Sequence, residues 1–225
     1  MVKTKICGIT TLADAVKAQE YGADMLGFIF VKGTPRCVDD LEAIAKESSE
    51  KLKKKVNRVG LFRNEKLEET SRIVSACDMD YVQLHGEESP EYCYQLKELV
   101  RRESGILLQV IKTLKVKDKI VTAEKFGLEE YRDSIDYFLF DTFDPIMPGG
   151  TGVSFKWEVL IEEKDRICHP FFIAGGLTPD NVAAAVLKVS PYGVDVSSGV
   201  EVFPGKKNKI LMKEFIANAK KQRLT

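Results

Sequence analysis

Side chains that can do chemistry stand at the ends of several apolar stretches of this sequence. The stretch KIC ends at Cys7, and the stretch YFLFD ends at Asp141. A deprotonated thiol can act as a base, and a protonated carboxyl group can act as an acid. A cysteine inside a strand is usually core packing. The position of Cys7 at the tip of its stretch is what makes it a candidate for chemistry.

Two late segments carry groups suited to a phosphate. The stretch PFFIAGG ends at Gly175 and Gly176, and GVDVSSG presents Ser197 and Ser198. Glycines let backbone N–H groups approach an anion closely, and serine hydroxyls add further donors. Either motif alone fits a plain turn. Together, after successive apolar stretches, they favour a phosphate site.

Four more polar residues follow or end apolar stretches. Arg36 comes after MLGFIFV, Gln83 and His85 end YVQLHG, and Asp195 lies in GVDV. The guanidinium of Arg36 can bind a carboxylate with two donors. Gln83 and His85 share one face of a strand, so His85 either lines a pocket or makes a structural hydrogen bond. All four are expected to bind substrate.

These side chains need a scaffold that gathers the ends of many strands. Apolar strands alternate with helical segments along the whole chain, which indicates a parallel sheet covered by helices. The pattern predicts a (β/α)₈ TIM barrel of eight parallel strands, forming a single domain over residues 1–225. An open doubly wound sheet is the alternative, but the glycine fingerprint typical of that fold is missing after the first strand. The predicted strands are 4–8, 25–31, 57–63, 81–86, 106–112, 137–143, 170–176 and 193–199.

Between the strands, the sequence predicts helices and one functional loop. A helix with an apolar stripe is predicted over 38–55, and a helix from Thr178 with Thr at its N-cap. Residues 113–135 give only weak helical signals. The glycine-rich segment 148–152 is predicted to be a hinged loop that closes over substrate.

Strand alternation also predicts a buried ion pair. Lys5 shares a face with Cys7, and Asp195 shares a face with Ser197 on the eighth strand, the neighbour of the first in a closed barrel. An inward-facing lysine is costly unless it is paired. We therefore expect Lys5 to lie within salt-bridge reach of Asp195, below Cys7, where its charge would favour the thiolate.

Composition excludes several other classes of protein. The 34 basic and 34 acidic residues balance, which removes any general electrostatic case for binding nucleic acid or a membrane surface. No apolar run reaches membrane-spanning length. The five cysteines are odd in number and form no CxxC pair, so free thiols in a reducing cytoplasm are expected.

The motifs resemble those of the phosphoribosylanthranilate isomerase family of tryptophan biosynthesis. The resemblance rests on KICGIT, GFIFVKGTPR, VQLHG, FDT…GGTG, PFFIAGG and VDVSSGVE, in this order along the chain. It implies a (β/α)₈ barrel that uses no metal and no organic cofactor. It also implies an Amadori rearrangement of N-(5-phosphoribosyl)anthranilate, so the expected partner is a small phosphosugar that carries an anthranilate group.

The resemblance further implies roles for single residues: Cys7 as general base, Asp141 as general acid, and Arg36 as the ligand of the anthranilate end. The chemistry agrees with this layout. An acid must protonate the furanose oxygen and a base must remove the C2 proton, so the two must flank the sugar. With phosphate on strands seven and eight, the ribose would lie between Asp141 and Cys7. One departure is Cys37, which stands where relatives often have an aromatic residue.

Other functions remain open at this point. A phosphosugar epimerase would need metal-binding histidines at several strand ends, and this chain has two histidines. The dual-substrate isomerase of histidine and tryptophan synthesis would be expected to have an aspartate in place of Cys7 and two phosphate sites. A non-catalytic phosphate-binding barrel would explain the two late loops but not Cys7 and Asp141 on either side of them.

Overall fold

The computed structural model describes residues 1–38, 52, 56–118, 120–121, 126–142 and 156–222. The helix predicted over 38–55 falls outside these residues except at positions 38 and 52. The loop predicted at 148–152 also lies outside the described residues.

Eight parallel strands close into a barrel within the described part of the chain. Each strand pairs with the next in sequence, β4 pairs with β5, and β8 pairs with β1, so the sheet has no open edge along this ring. This confirms the (β/α)₈ barrel and excludes the open doubly wound sheet. The strands are β1 (Lys3–Cys7), β2 (Met25–Ile29), β3 (Asn57–Phe62), β4 (Tyr81–Leu84), β5 (Gln109–Val116), β6 (Tyr137–Thr142), β7 (Phe171–Ile173) and β8 (Gly193–Val196).

Helices follow most of the strands, and some of them begin at a residue whose side chain caps the first turn. Ser89 accepts a hydrogen bond from the backbone N–H of Tyr92, and Asn208 caps the last helix in the same manner. Such side chains satisfy backbone donors that the first helical turn leaves free. The described helices are α1 (Leu12–Glu20), α2 (Leu67–Ala76), α3 (Pro90–Ser104), α4 (Glu158–Glu162), α5 (Val182–Val189) and α6 (Lys209–Lys220).

Several predicted boundaries are wrong, among them the start of one helix and the end of one strand. Helix α5 begins at Val182 and not at Thr178, because the side chain of Asn181 accepts from the backbone N–H of Thr178 and closes a turn there. Strand β5 extends to Val116, whereas the sequence pattern ended it at residue 112. The later part of the stretch 113–135 contains a single 3₁₀ turn at Glu129–Tyr131.

The interior of the barrel is filled by apolar side chains below the level of the polar strand ends. This inner cluster is separate from the larger core between the strands and the helices. No described helix combines the length and the apolar character that a membrane crossing requires. The inner cluster consists of Met25, Val59, Ile111, Leu139, Phe172 and Ala174.

A small element after β8 extends the carboxyl-terminal face of the barrel. One 3₁₀ turn, Ser198–Val200, leads into an antiparallel pair of short strands, Glu201–Phe203 and Lys206–Lys207. The turn between them contains Gly205 with a φ of 86°. This hairpin brings Glu201 and Lys207 next to Arg36, which lines the cleft described below.

Candidate active site

A cleft opens at the carboxyl-terminal ends of the strands. Its empty volume, including the part open to solvent, is about 980 Å³. All of the residues predicted for the site line this cleft, as expected for a TIM barrel. They are Cys7, Arg36, Gln83, His85, Asp141, Gly175, Gly176, Asp195, Ser197 and Ser198.

Cys7 occupies the end of β1 and is almost completely buried. Lys5 lies two residues below it on the same face, fully buried, and its Nζ donates to Oδ1 of Asp195 at 3.0 Å. Lys5 and Asp195 are also register partners across the β1–β8 seam. The structure thus confirms the predicted ion pair.

The electrostatics of Cys7 differ from the expectation. Burial raises the pKa of the Cys7 thiol, and the nearby Asp195 adds to this increase, while Lys5 acts in the opposite direction. The pKa of Lys5 is raised because Asp195 and Cys7 outweigh the effect of its burial, so this lysine carries its charge. The prediction that Lys5 favours the thiolate is right in sign, but burial outweighs it.

Asp141 ends β6 on the other side of the cleft and is 7% exposed. Its Oδ2 accepts a hydrogen bond from Lys115 Nζ at 2.5 Å and lies 3.5 Å from Nε2 of His85. Lys115 and Asp141 are register partners on β5 and β6. Sequence reasoning missed Lys115 because the predicted fifth strand stopped at residue 112. Continued alternation beyond that residue was the available signal.

His85 both lines the cleft and makes structural contacts. Its Nδ1 lies 3.3 Å from the Gln83 amide, and its Nε2 lies 3.0 Å from Lys115 Nζ. Burial, together with the positive charge of Lys115, lowers the pKa of His85 to about 4. The imidazole is therefore neutral at neutral pH and is not a source of protons there.

Arg36 already has a carboxylate partner within the chain. Its Nε and Nη2 donate to Glu201 at 2.9 and 2.7 Å, and Lys207 Nζ donates to the same carboxylate at 2.8 Å. The expected two-donor contact with a substrate carboxylate therefore has to use the other edge of this guanidinium. Glu201 and Lys207 were missed because their pairing depends on the fold of the hairpin. Arg63, exposed at the end of β3, lines the same cleft.

The two predicted phosphate loops pack against each other. Gly175 has a φ of +78°, and a Cβ there would lie 2.2 Å from Thr142 Oγ1 and 2.8 Å from Asp141 Oδ1. A Cβ on Gly199 would lie 1.9 Å from the carbonyl oxygen of Leu177. Only glycine fits this close approach. The loops after β7 and β8 thus form one continuous wall of the cleft.

Ser197 adds an unusual feature to this wall. Its Oγ is buried and has no hydrogen-bond partner among the described residues. Buried hydroxyl groups are normally hydrogen-bonded, because an unmet donor costs free energy. An orphan hydroxyl beside glycine-rich loops is the arrangement expected where an anion binds.

Comparison with known proteins identifies close relatives. A family model described as N-(5'phosphoribosyl)anthranilate (PRA) isomerase matches residues 4–218. A relative from Pelobacter propionicus is 43% identical over 225 residues, which cover 99% of this chain and 98% of the relative. A relative from Geobacter sp. (strain M21) is 45% identical over 221 residues, 98% of this chain and 99% of the relative. Both carry the name N-(5'-phosphoribosyl)anthranilate isomerase.

Solved structures extend the comparison to the fold. Phosphoribosyl anthranilate isomerase from Thermotoga maritima superposes with a TM-score of 0.81 at 37% identity, covering 99% of this chain and 100% of that chain. A complex of such an isomerase with reduced 1-(o-carboxyphenylamino)-1-deoxyribulose 5-phosphate has a TM-score of 0.78 at 37% identity, with the same coverage.

Proposed function

The chain belongs to the N-(5'-phosphoribosyl)anthranilate isomerase family, and from this premise we propose which of its residues carry each step of the reaction. The enzyme isomerises N-(5'-phosphoribosyl)anthranilate to 1-(o-carboxyphenylamino)-1-deoxyribulose 5-phosphate in tryptophan biosynthesis. The reaction is an internal redox exchange between C1 and C2 of the sugar, so it needs proton transfers and no external oxidant.

Asp141 is the general acid. In ring opening, the bond between C1 and the ring oxygen breaks, the oxygen takes a proton, and the nitrogen lone pair forms an iminium with C1. The donor must reach the ring oxygen from one side of the sugar. Asp141 Oδ1 faces Gly175 and the cleft, while Oδ2 is bound by Lys115, so Oδ1 is the oxygen that delivers the proton.

Cys7 is the general base. Its thiolate removes the C2 proton, and the electron pair of that C–H bond forms the C1–C2 double bond of an enolamine, which neutralises the iminium nitrogen. Tautomerisation to the ketone then completes the rearrangement. Lys5 lies beneath the sulfur, and its positive charge stabilises the thiolate when it forms. Asp195 holds Lys5 in place and lines the cleft, where it is suited to bind a sugar hydroxyl.

The phosphate binds to the wall formed by the loops after β7 and β8. Gly175 and Gly176 present backbone N–H groups, and Ser197 and Ser198 present hydroxyl and amide donors. The orphan Oγ of Ser197 gains its missing partner there. This placement fixes the ribose between Asp141 on β6 and Cys7 on β1.

The anthranilate lies on the opposite side of the cleft. Ile29, Val31 and Leu61 supply apolar surface for the ring, and Arg36 and Arg63 stand at the same side for its carboxylate. Gln83, whose buried amide has one atom without a partner among the described residues, and His85 line the floor between the two ends of the substrate.

The single observation that carries these assignments is the position of Cys7 and Asp141 on two sides of one cleft, separated by the glycine-rich wall. The test follows anthranilate fluorescence as freshly formed phosphoribosylanthranilate is consumed, with a chelator present. Cys7→Ala and Asp141→Asn should each lower kcat by at least about 100-fold, with smaller changes in KM. Near-normal turnover in either variant would reject its assigned role.

The setting of the enzyme is also part of this proposal. No disulfide joins any of the five cysteines, as expected in a reducing cytoplasm. The first strand, β1, pairs with the last, β8. One closed barrel built this way supports a single catalytic domain over residues 1–225.

A further inference from the structure

Among the described residues, Lys115 is the cation closest to the proposed general acid, Asp141. Its Nζ donates to Asp141 Oδ2 at 2.5 Å, and its side chain is 24% exposed. Lys115 stands opposite Asp141 in the β5–β6 register. Two rigid, adjacent strands thus set the distance between the two groups.

The contact distinguishes the two oxygens of the Asp141 carboxyl group. Oδ2 is held by Lys115 and lies 3.5 Å from His85 Nε2. Oδ1 faces Gly175, close to where a Cβ on that residue would stand, at 2.8 Å. With Oδ2 fixed, rotation of the carboxyl group about χ2 is restricted, so one defined oxygen points to the substrate side.

His85 fixes Lys115 in turn. The ammonium group can only donate, so the neutral imidazole accepts at Nε2, 3.0 Å away. The ring proton is then on Nδ1, and the side-chain nitrogen of Gln83 lies 3.3 Å from that atom. Thr113 lies 3.1 Å from the same amide and completes the chain of contacts. Thr113, Gln83, His85 and Lys115 thus form one continuous line of polar contacts that ends at Asp141.

We propose that Lys115 is a positioning residue for the isomerisation: it anchors Asp141 Oδ2 so that Oδ1 delivers the proton to the ring oxygen. This rests on the acid role assigned to Asp141 above. Lys115 does not itself touch the reacting atoms. Its loss should let the carboxyl group rotate away from the ring oxygen, and small displacements of this kind cost large factors in rate.

The experiment compares Lys115→Met, Lys115→Arg and Asp141→Asn under steady-state conditions. Lys115→Met should lower kcat by about 10- to 100-fold while KM stays within about threefold, since the substrate contacts are intact. Lys115→Arg keeps a cationic donor at this position and should recover most of the lost kcat. In the Asp141→Asn background, Lys115→Met should have no further effect on kcat, because the group that it positions is already gone.

Lys117→Met is the matched control, because Lys117 is an exposed lysine two residues further along the same segment. It should leave kcat and KM unchanged. A Lys115→Met enzyme that turns over as fast as the parent or faster would overturn the proposal, as would an additive loss in the Asp141→Asn background. If Asp141→Asn itself were active, the acid assignment would fail instead, so the two failures are distinguishable. Circular dichroism and thermal unfolding confirm that each variant is folded.

Discussion

Lys5 and Asp195 form a buried ion pair, with 3.0 Å between Nζ and Oδ1, at the seam where the first strand of the barrel meets the last. The pair closes the barrel and at the same time supports Cys7 from below. A buried charge in this position costs free energy. Its presence beneath Cys7 therefore indicates that Lys5 serves the thiol as well as the fold.

Breaking this pair from one side should destabilise the protein strongly. Lys5→Met leaves the Asp195 carboxylate buried without its partner, and we expect the free energy of unfolding to fall by roughly 3–5 kcal/mol. The double variant Lys5→Met/Asp195→Leu removes both charges and should recover much of that loss. Urea denaturation followed by circular dichroism measures both effects.

Lys3→Met is the matched control, since Lys3 pairs with Asp24 at 3.3 Å on the surface, with 46% of its side chain exposed. Exposed pairs contribute at most about 1 kcal/mol. If Lys3→Met and Lys5→Met lowered the free energy of unfolding equally, burial of the Lys5–Asp195 pair would have no special effect on stability.

The buried thiol of Cys7 should react slowly with alkylating agents at neutral pH. Burial raises the pKa of Cys7, so the thiolate fraction at pH 7 is smaller than for a free thiol. The iodoacetamide rate at Cys7, followed by peptide mass spectrometry, should keep rising beyond pH 9. A plateau in the alkylation rate below pH 8 would contradict the raised pKa of Cys7.

Much of this site was accessible from the sequence, because two regularities are enough to find it. Apolar strands that end in polar residues indicate the catalytic face of a barrel, and alternation along the strands places Lys5 opposite Asp195. The remainder depends on packing between distant segments. Lys115 was missed because the end of β5 is set by its pairing with β6. The carboxylate partner of Arg36 comes from a hairpin, and the direction of the Cys7 pKa follows from burial that no pattern measures.

His85 should make the protein acid-sensitive over a defined range. Its pKa is lowered to about 4 by burial and by Lys115, against 6.5 for an ordinary histidine. Between these values the unfolded chain binds the proton and the folded protein does not, so stability falls as pH falls from 6.5 to 4. The free energy of unfolding is therefore about 3 kcal/mol lower at pH 4 than at pH 6.5 because of His85 alone. His85→Asn removes this titration, and urea denaturation across that range compares it with the parent.

His169→Asn serves as the control for loss of an imidazole, because His169 precedes β7 at the opposite end of the barrel. The parent should lose about 3 kcal/mol more than His85→Asn between pH 6.5 and 4. If the free energy of unfolding fell by the same amount in the parent and in His85→Asn, the lowered pKa of His85 would be wrong.

Ser197→Ala should weaken phosphate binding without destabilising the fold. The hydroxyl is buried with no partner among the described residues, so its removal costs no existing hydrogen bond. We expect an unchanged or slightly higher melting temperature, together with a KM increase of about tenfold and weaker inhibition by inorganic phosphate. Ser75→Ala is a close control, since Ser75 Oγ is also buried without a partner but lies on α2. A loss of melting temperature without a change in KM would indicate a structural role for Ser197.

The two arginines of the cleft should differ in how they contribute to recognition of the anthranilate carboxylate. Arg36 already binds Glu201 with two of its donor groups, whereas Arg63 is exposed at the rim. Arg63→Met should therefore weaken the binding of reduced 1-(o-carboxyphenylamino)-1-deoxyribulose 5-phosphate by about tenfold, the range of one charged hydrogen bond. The same compound without its carboxyl group should bind the parent and Arg63→Met equally well.

Arg36→Met should weaken the binding of both compounds and lower the melting temperature, because it leaves Glu201 with Lys207 as its remaining cation. If Arg63→Met weakened the binding of both compounds to the same extent, Arg63 would not be the residue that binds the carboxylate.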